Sequence, residues 1–163
     1  MTNKKRWVSL YVENQIGVLA KISGLFSGKS YNLQSLTVGE TEDPTISRMT
    51  IGLLSDDNTF EQIKKQLNRC VEVIKVIDFT EAATYMQEVL FIKINYCSLA
   101  DKEEVFRICQ VFQLDVVDYR GETLLVECVK NQEKNDEIVA LFNRTFLNRV
   151  EVVRGGTVAI ERA

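Results

Sequence analysis

The sequence predicts an α+β protein made of two βαββαβ units in tandem. Three observations carry this. The chain has 163 residues, enough for two small domains of about 80 residues each. Apolar residues alternate at period two in short runs, and between those runs they recur at helical spacing. The order of these segments in the first half is repeated in the second.

Val8, Leu10 and Val12 alternate with Trp7, Ser9 and Tyr11, which predicts a strand with one deeply buried face. Val18, Leu19, Ile22, Leu25 and Phe26 form a helical stripe, with Gly28 as a left-handed cap. Asn32 to Gly39 is the next strand. Glu40 to Thr45, holding the single proline, is a hairpin loop before a strand over Ile46 to Leu54. Asn58, three residues before Glu61, suggests a capping box for a helix that turns Phe60, Ile63 and Leu67 inward. Val71 to Phe79 closes the unit.

The second half repeats the order. Val89 to Tyr96 is a strand, and Ser98 to Asp101 a capping box for a helix carrying Val105, Ile108, Cys109 and Phe112. Leu114 to Tyr119 and Thr123 to Val129 form a hairpin, and Ile138, Leu141 and Phe142 mark another helix. Val150 to Ile160 supplies the last strands, interrupted by Gly155-Gly156. The expectation is two ferredoxin-like βαββαβ domains in tandem, residues 1–80 and 81–163, with the boundary near Thr80 to Tyr85. A sheet with helices on one face leaves the other face available, and Trp7, Ser9 and Tyr11 are expected on it.

Composition removes several function classes. Twenty basic residues against 23 acidic ones give a net charge of -3, a poor match to a phosphate backbone, so no nucleic-acid partner is expected. No apolar run approaches the roughly 20 residues of a membrane span, and no secretory signal follows Met1, so the cytoplasm is the expected compartment. There is no histidine, which removes Ser-His-Asp and Cys-His catalysis and histidine metal ligation. Cys70, Cys97, Cys109 and Cys128 form no CxxC pair and read as reduced packing residues. No catalytic residue and no metal ligand set is expected.

One segment suits a small ligand. Glu13-Asn14-Gln15-Ile16-Gly17 joins a strand to a helix N-terminus, where backbone N–H groups and the helix dipole favour a carboxylate. Gly17 allows close approach, and Asn14 offers a donor and an acceptor. Asn32, at the start of the next strand, is a second polar candidate or an ordinary turn residue. Arg48 is expected in solvent or paired with Glu42 or Asp43. Glu40, Glu42 and Asp43 lack the dense spacing of a calcium loop and read as a solvated loop.

The run Asn14-Gln15-Ile16-Gly17-Val18-Leu19-Ala20-Lys21-Ile22 closely resembles the first loop and helix of an ACT domain, an amino-acid-sensing module. Gly24-Leu25-Phe26-Ser27, Tyr31-Asn32-Leu33, Ser35-Leu36-Thr37-Val38, Asp43-Pro44 and Ser47-Arg48-Met49-Thr50-Ile51 narrow this. Together they resemble the regulatory small subunits of acetohydroxyacid synthase, also called acetolactate synthase. Val117-Asp118, Glu151-Val152-Val153-Arg154 and Gly156-Thr157-Val158-Ala159 are similar to that family's second, ACT-like domain.

The resemblance implies a non-catalytic chain that binds and activates a catalytic large subunit. Thiamine diphosphate, Mg2+ and FAD are expected in that partner and not in this chain. It also implies feedback inhibition by valine or another branched-chain amino acid, bound between ACT domains of a homodimer. The implied effector residues are Asn14, Gln15, Ile16, Gly17, Val18 and Leu19 of one protomer, and Tyr31, Asn32 and Leu33 of the other. The helix N-terminus would take the carboxylate, the amide oxygens of Asn14 and Asn32 the ammonium, and Leu19 the side chain. Three positions depart from the family pattern: Ser30 for a glycine, Lys21 for an arginine, and Lys130-Asn131 where a glycine is common. The alternative is a free-standing ACT amino-acid sensor serving another enzyme.

Overall fold

The structure is a computed structural model that describes residues 3–27 and 31–163. The expected cap at Gly28 and the departure at Ser30 lie outside the described residues. Elements follow the predicted order twice: β1 (Lys4–Glu13), α1 (Val18–Ser27), β2 (Leu33–Glu40), β3 (Ile46–Ser55), α2 (Asp57–Leu67) and β4 (Val73–Asp78), then β5 (Thr84–Ile94), α3 (Leu99–Phe112), β6 (Asp115–Arg120), β7 (Thr123–Lys130), α4 (Gln132–Thr145) and β8 (Val150–Glu161). The chain packs as two units. One takes the residues up to Tyr85 together with Thr157–Ala163, and the other takes Met86–Gly156.

The first unit holds an antiparallel sheet in the order β2-β3-β1-β4. Val8 lies opposite Ile51 and Leu10 opposite Met49, so one face collects the residues predicted to be buried. Val18, Ile22 and Phe26 of α1 and Phe60, Ile63 and Leu67 of α2 close that face into a core. Each such side chain contributes roughly 1.5–3 kcal/mol on burial. The second sheet runs β6-β7-β5-β8, with Leu90, Ile92, Ile94, Leu124 and Val126 packed on Val105, Ile108, Ile138 and Phe142. Cys97, Cys109 and Cys128 are buried there, while Cys70 is half-buried and all four are free thiols. Burial pushes the Cys109 thiol up to about 11 and Cys128 to about 12.

Local signals account for the helix ends. Ser98 and Asp101 form the predicted capping box of α3. The N-cap of α2 is Asp56 instead of Asn58: its carboxylate accepts from the amide and hydroxyl of Thr59, at 2.9 and 2.8 Å. Asp56 reaches the third amide of the helix and Asn58 already lies inside it, so the helix starts two residues early. Asn131, in the pair that departs from the family pattern, caps α4 by accepting from Lys134 N–H at 2.9 Å. Gly155-Gly156 does not interrupt the last strand. β8 runs through them, with Gly156 at φ +84°, and a β-carbon at residue 155 would press to 3.3 Å from the Val89 carbonyl.

The second face of the first sheet is covered, contrary to expectation. Trp7 is 8% exposed and Ser9 0%. Arg48 Nε donates to Ser9 Oγ at 3.0 Å, and its guanidinium stacks on Tyr11 and Phe79, 5.3 and 5.5 Å from the ring centres. Arg48 therefore pairs with neither Glu42 nor Asp43. The Thr157 N–H donates to Ser35 Oγ, and Thr37 Oγ1 donates to the Thr157 carbonyl, both at 2.9 Å. The unit's own C-terminal segment thus lies against this face.

Candidate effector site

The loop between β1 and α1 is held by the hairpin between β2 and β3. Asn14 N–H donates to Thr45 O at 2.7 Å, and its Nδ2 donates to Pro44 O at 2.9 Å and Glu40 Oε1 at 3.1 Å. Both amide protons are engaged, which leaves Oδ1, an acceptor, uncommitted among the described residues. The hairpin has its own brace: Asp43 accepts from the Thr45 hydroxyl and amide at 2.7 and 2.9 Å. Those two bonds hold its carboxyl below the usual carboxylate range. Glu40 and Pro44 were legible only as a polar loop, and no sequence signal tied them to Asn14.

Gly17 sits at φ +87°, a conformation that favours glycine. It precedes α1 and has no side chain to cap it, whereas α2, α3 and α4 are capped by Asp56, Ser98 and Asn131. Val18 is buried in the core, and its N–H donates to Gln15 O at 3.3 Å. Gln15 is exposed, Ile16 fully so and Leu19 47%. The loop therefore presents a helix N-terminus without a side-chain cap, an amide oxygen and two exposed aliphatic side chains. Lys21, one turn on, donates to Glu72 at 2.6 Å and so ties α1 to the start of β4; this hydrogen bond raises the lysine pKa and lowers that of the carboxyl.

The other expected effector residues lie elsewhere. Tyr31 is bound through its N–H to Phe26 O at 3.1 Å, Asn32 is exposed, and Leu33 is half-buried. The register fixes their position. Glu13 pairs with Ile46 at one end of β3, and Leu33 pairs with Leu53 near the other. Seven residues of strand separate those points, about 23 Å. Within one protomer Asn14 and Asn32 are thus at opposite ends of the sheet.

Among the described residues no group of three or more Cys, Asp or Glu is arranged to hold a metal ion, and no helix is long and apolar enough to cross a membrane. The βαββαβ order on a four-stranded antiparallel sheet, with the strands in the order β2-β3-β1-β4, places the chain in the class of proteins with an ACT-like fold.

Comparison with known proteins sharpens the class. Residues 8–75 match the family model for the AHAS small subunit-like ACT domain, and residues 87–163 match that for the small subunit of acetolactate synthase. The chain is 36% identical over 159 residues to the acetolactate synthase small subunit of Aquifex aeolicus, covering 98% of this chain and 82% of that protein. It is 36% identical over 158 residues to the isozyme 3 small subunit of Escherichia coli, covering 97% and 96%. The crystal structure of the Thermotoga maritima acetolactate synthase small subunit superposes with a TM-score of 0.85 at 32% identity, covering 98% of each chain. The chain belongs to the acetolactate synthase small-subunit family.

Proposed function

We propose that this chain activates a thiamine-diphosphate-dependent catalytic large subunit in the cytoplasm and makes it subject to feedback inhibition by valine. The chain itself performs no chemistry; thiamine diphosphate, Mg2+ and FAD are the partner's. Residues 1–80 bind the effector as an ACT domain, and residues 81–163 form the second domain of the small subunit.

The observation that carries the reading is the separation of Asn14 from Asn32. β2 is an edge strand, open to pairing with a second copy. Antiparallel pairing of β2 with β2 across a two-fold axis reverses one strand against the other. Asn32 of the partner protomer then arrives at the end of the sheet that carries Asn14. A valine there meets the N-terminus of α1 with its carboxylate, the two amide oxygens with its ammonium, and Ile16 and Leu19 with its side chain. Ligand bound across the interface tightens the dimer by mass action.

Subunit complementation tests this. Asn14→Ala and Asn32→Ala homodimers should each lose valine binding in calorimetry. A mixture of the two should regain it at about one quarter of the sites, because half the dimers are mixed and each mixed dimer has one intact site. Absence of any recovery on mixing, with both variants folded and dimeric, would contradict a shared site.

A further inference from the structure

The C-terminal segment is held on the first unit at Thr157 and again at Arg162, whose N–H donates to Ala83 O at 2.9 Å and whose Nε donates to Thr84 O at 3.0 Å. The hold at Thr157 is made by side chains of β2. Thr157 is 1% exposed, and both of its backbone polar groups are bound by hydroxyls of β2, the N–H by Ser35 and the carbonyl by Thr37. β8 is an edge strand, whose outward N–H and carbonyl groups need partners when buried. Ser35 and Thr37 are two apart on β2, so they share a face and grip Thr157 from both sides. The Thr157 hydroxyl itself is buried without a partner among the described residues. The gripped arrangement therefore leaves one polar group unsatisfied, which a displaced arrangement can satisfy.

On both sides of the grip the backbone is irregular. The β2–β3 register slips between Leu33 and Ser35, directly between the expected effector residues and the first hydroxyl, and such irregularities re-aim the side chains that follow. On the other side, Gly156 at φ +84° is the last residue of the second unit. Two residues earlier, Arg154 binds the buried carboxylate of Glu88 through both oxygens, at 2.9 and 2.7 Å.

We infer that Ser35 and Thr37 are positioning residues for regulation: they latch the backbone of Thr157 in β8, and effector contact at Asn32 and Leu33 shifts β2 at its register slip and so moves the C-terminal part of β8. This rests on the effector reading above. Such a coupling requires an element with two arrangements whose balance the effector shifts; the latch at Thr157, gripped or released, is that element in this proposal.

The test uses the Ser35→Ala/Thr37→Val variant, with Thr37→Ser as the version that keeps the hydroxyl. Hydrogen exchange without valine should be faster at Thr157 and over residues 157–163 in the double variant and unchanged in Thr37→Ser. Valine affinity of the isolated chain, by calorimetry, should stay within about twofold. In the reconstituted holoenzyme, stimulation without valine should persist, while the half-inhibitory valine concentration rises on the order of tenfold. Thr37→Ser should be inhibited like the parent. Inhibition of the double variant like the parent, or unchanged exchange at Thr157, would overturn the latch. A parent chain that binds no valine would overturn the effector reading and the coupling with it; the exchange measurement, made without valine, tells that failure from failure of the latch itself. Should the double variant not fold, Ser35→Ala alone carries the same predictions.

Discussion

Trp7 and Gly52 lie directly opposite each other across β1 and β3, and the indole occupies the space a side chain at residue 52 would need. A β-carbon there would sit 2.6 Å from the ring. The pair closes the face of the first sheet that lies away from the helices, next to the Arg48 stack on Tyr11 and Phe79. Gly52 is thus set by packing and not by backbone conformation.

Gly52→Ala should therefore destabilise the first unit by about 1–3 kcal/mol, as overpacking of a tight interior does. Gly39→Ala is the control: it is also in a strand of this sheet, but with open space around its β-position. Thermal unfolding should show a loss of about 5 °C or more for the first and little change for the second. Equal effects would contradict the packing role of Trp7.

Arg154→Met should cost about 3–5 kcal/mol by stranding a buried carboxylate. Glu88 is 3% exposed and is also bound by Asn135 Nδ2 at 3.0 Å, while Arg154 reaches on to Asp136 at 2.6 Å. Adding Glu88→Gln to Arg154→Met should recover much of the loss, since the stranded charge is gone. A double variant as unstable as the sum of the singles would show that the two side chains act independently.

Asp101 makes stability depend on acid. Its carboxylate accepts from Arg149 at 2.8 and 3.2 Å and from the Ser98 amide and hydroxyl at 2.8 Å. Arg149 foremost, then Ser98, hold its pKa well below the usual 3.8. The folded state binds this proton more weakly than the unfolded chain. The contribution is therefore complete above the usual value and disappears as pH falls through the lowered one. Asp101→Asn should lower the melting temperature at pH 7, by a capping loss on the order of 1 kcal/mol, and the gap to the parent should shrink at pH 3 and below. A gap independent of pH would place the stabilisation elsewhere.

The sequence carried the order of elements because each has a strict period: Val8, Leu10 and Val12 reach the core just as alternation requires, and Ser98 with Asp101 announces α3. It carried the start of α2 less well, because Asp56, Asp57 and Asn58 are all capping residues and only geometry selects one. The covering of the second face was not legible. It depends on Thr157 meeting Ser35 and Thr37 across some 120 positions of chain, through hydroxyls that no periodicity marks. The candidate site was legible as a list, through the motif run from Asn14 to Leu33. That its two halves stand at opposite ends of one sheet follows only from the strand register, and it is the reason the proposed site draws on a second protomer.

The most direct measurement is acetolactate formation by the large subunit of the same organism, alone, with this chain, and with this chain plus valine. This chain alone should form no acetolactate, its addition to the large subunit should raise acetolactate formation markedly, and valine should reverse that rise. Stimulation that valine leaves untouched would contradict the effector site, and no stimulation would contradict the regulatory role itself.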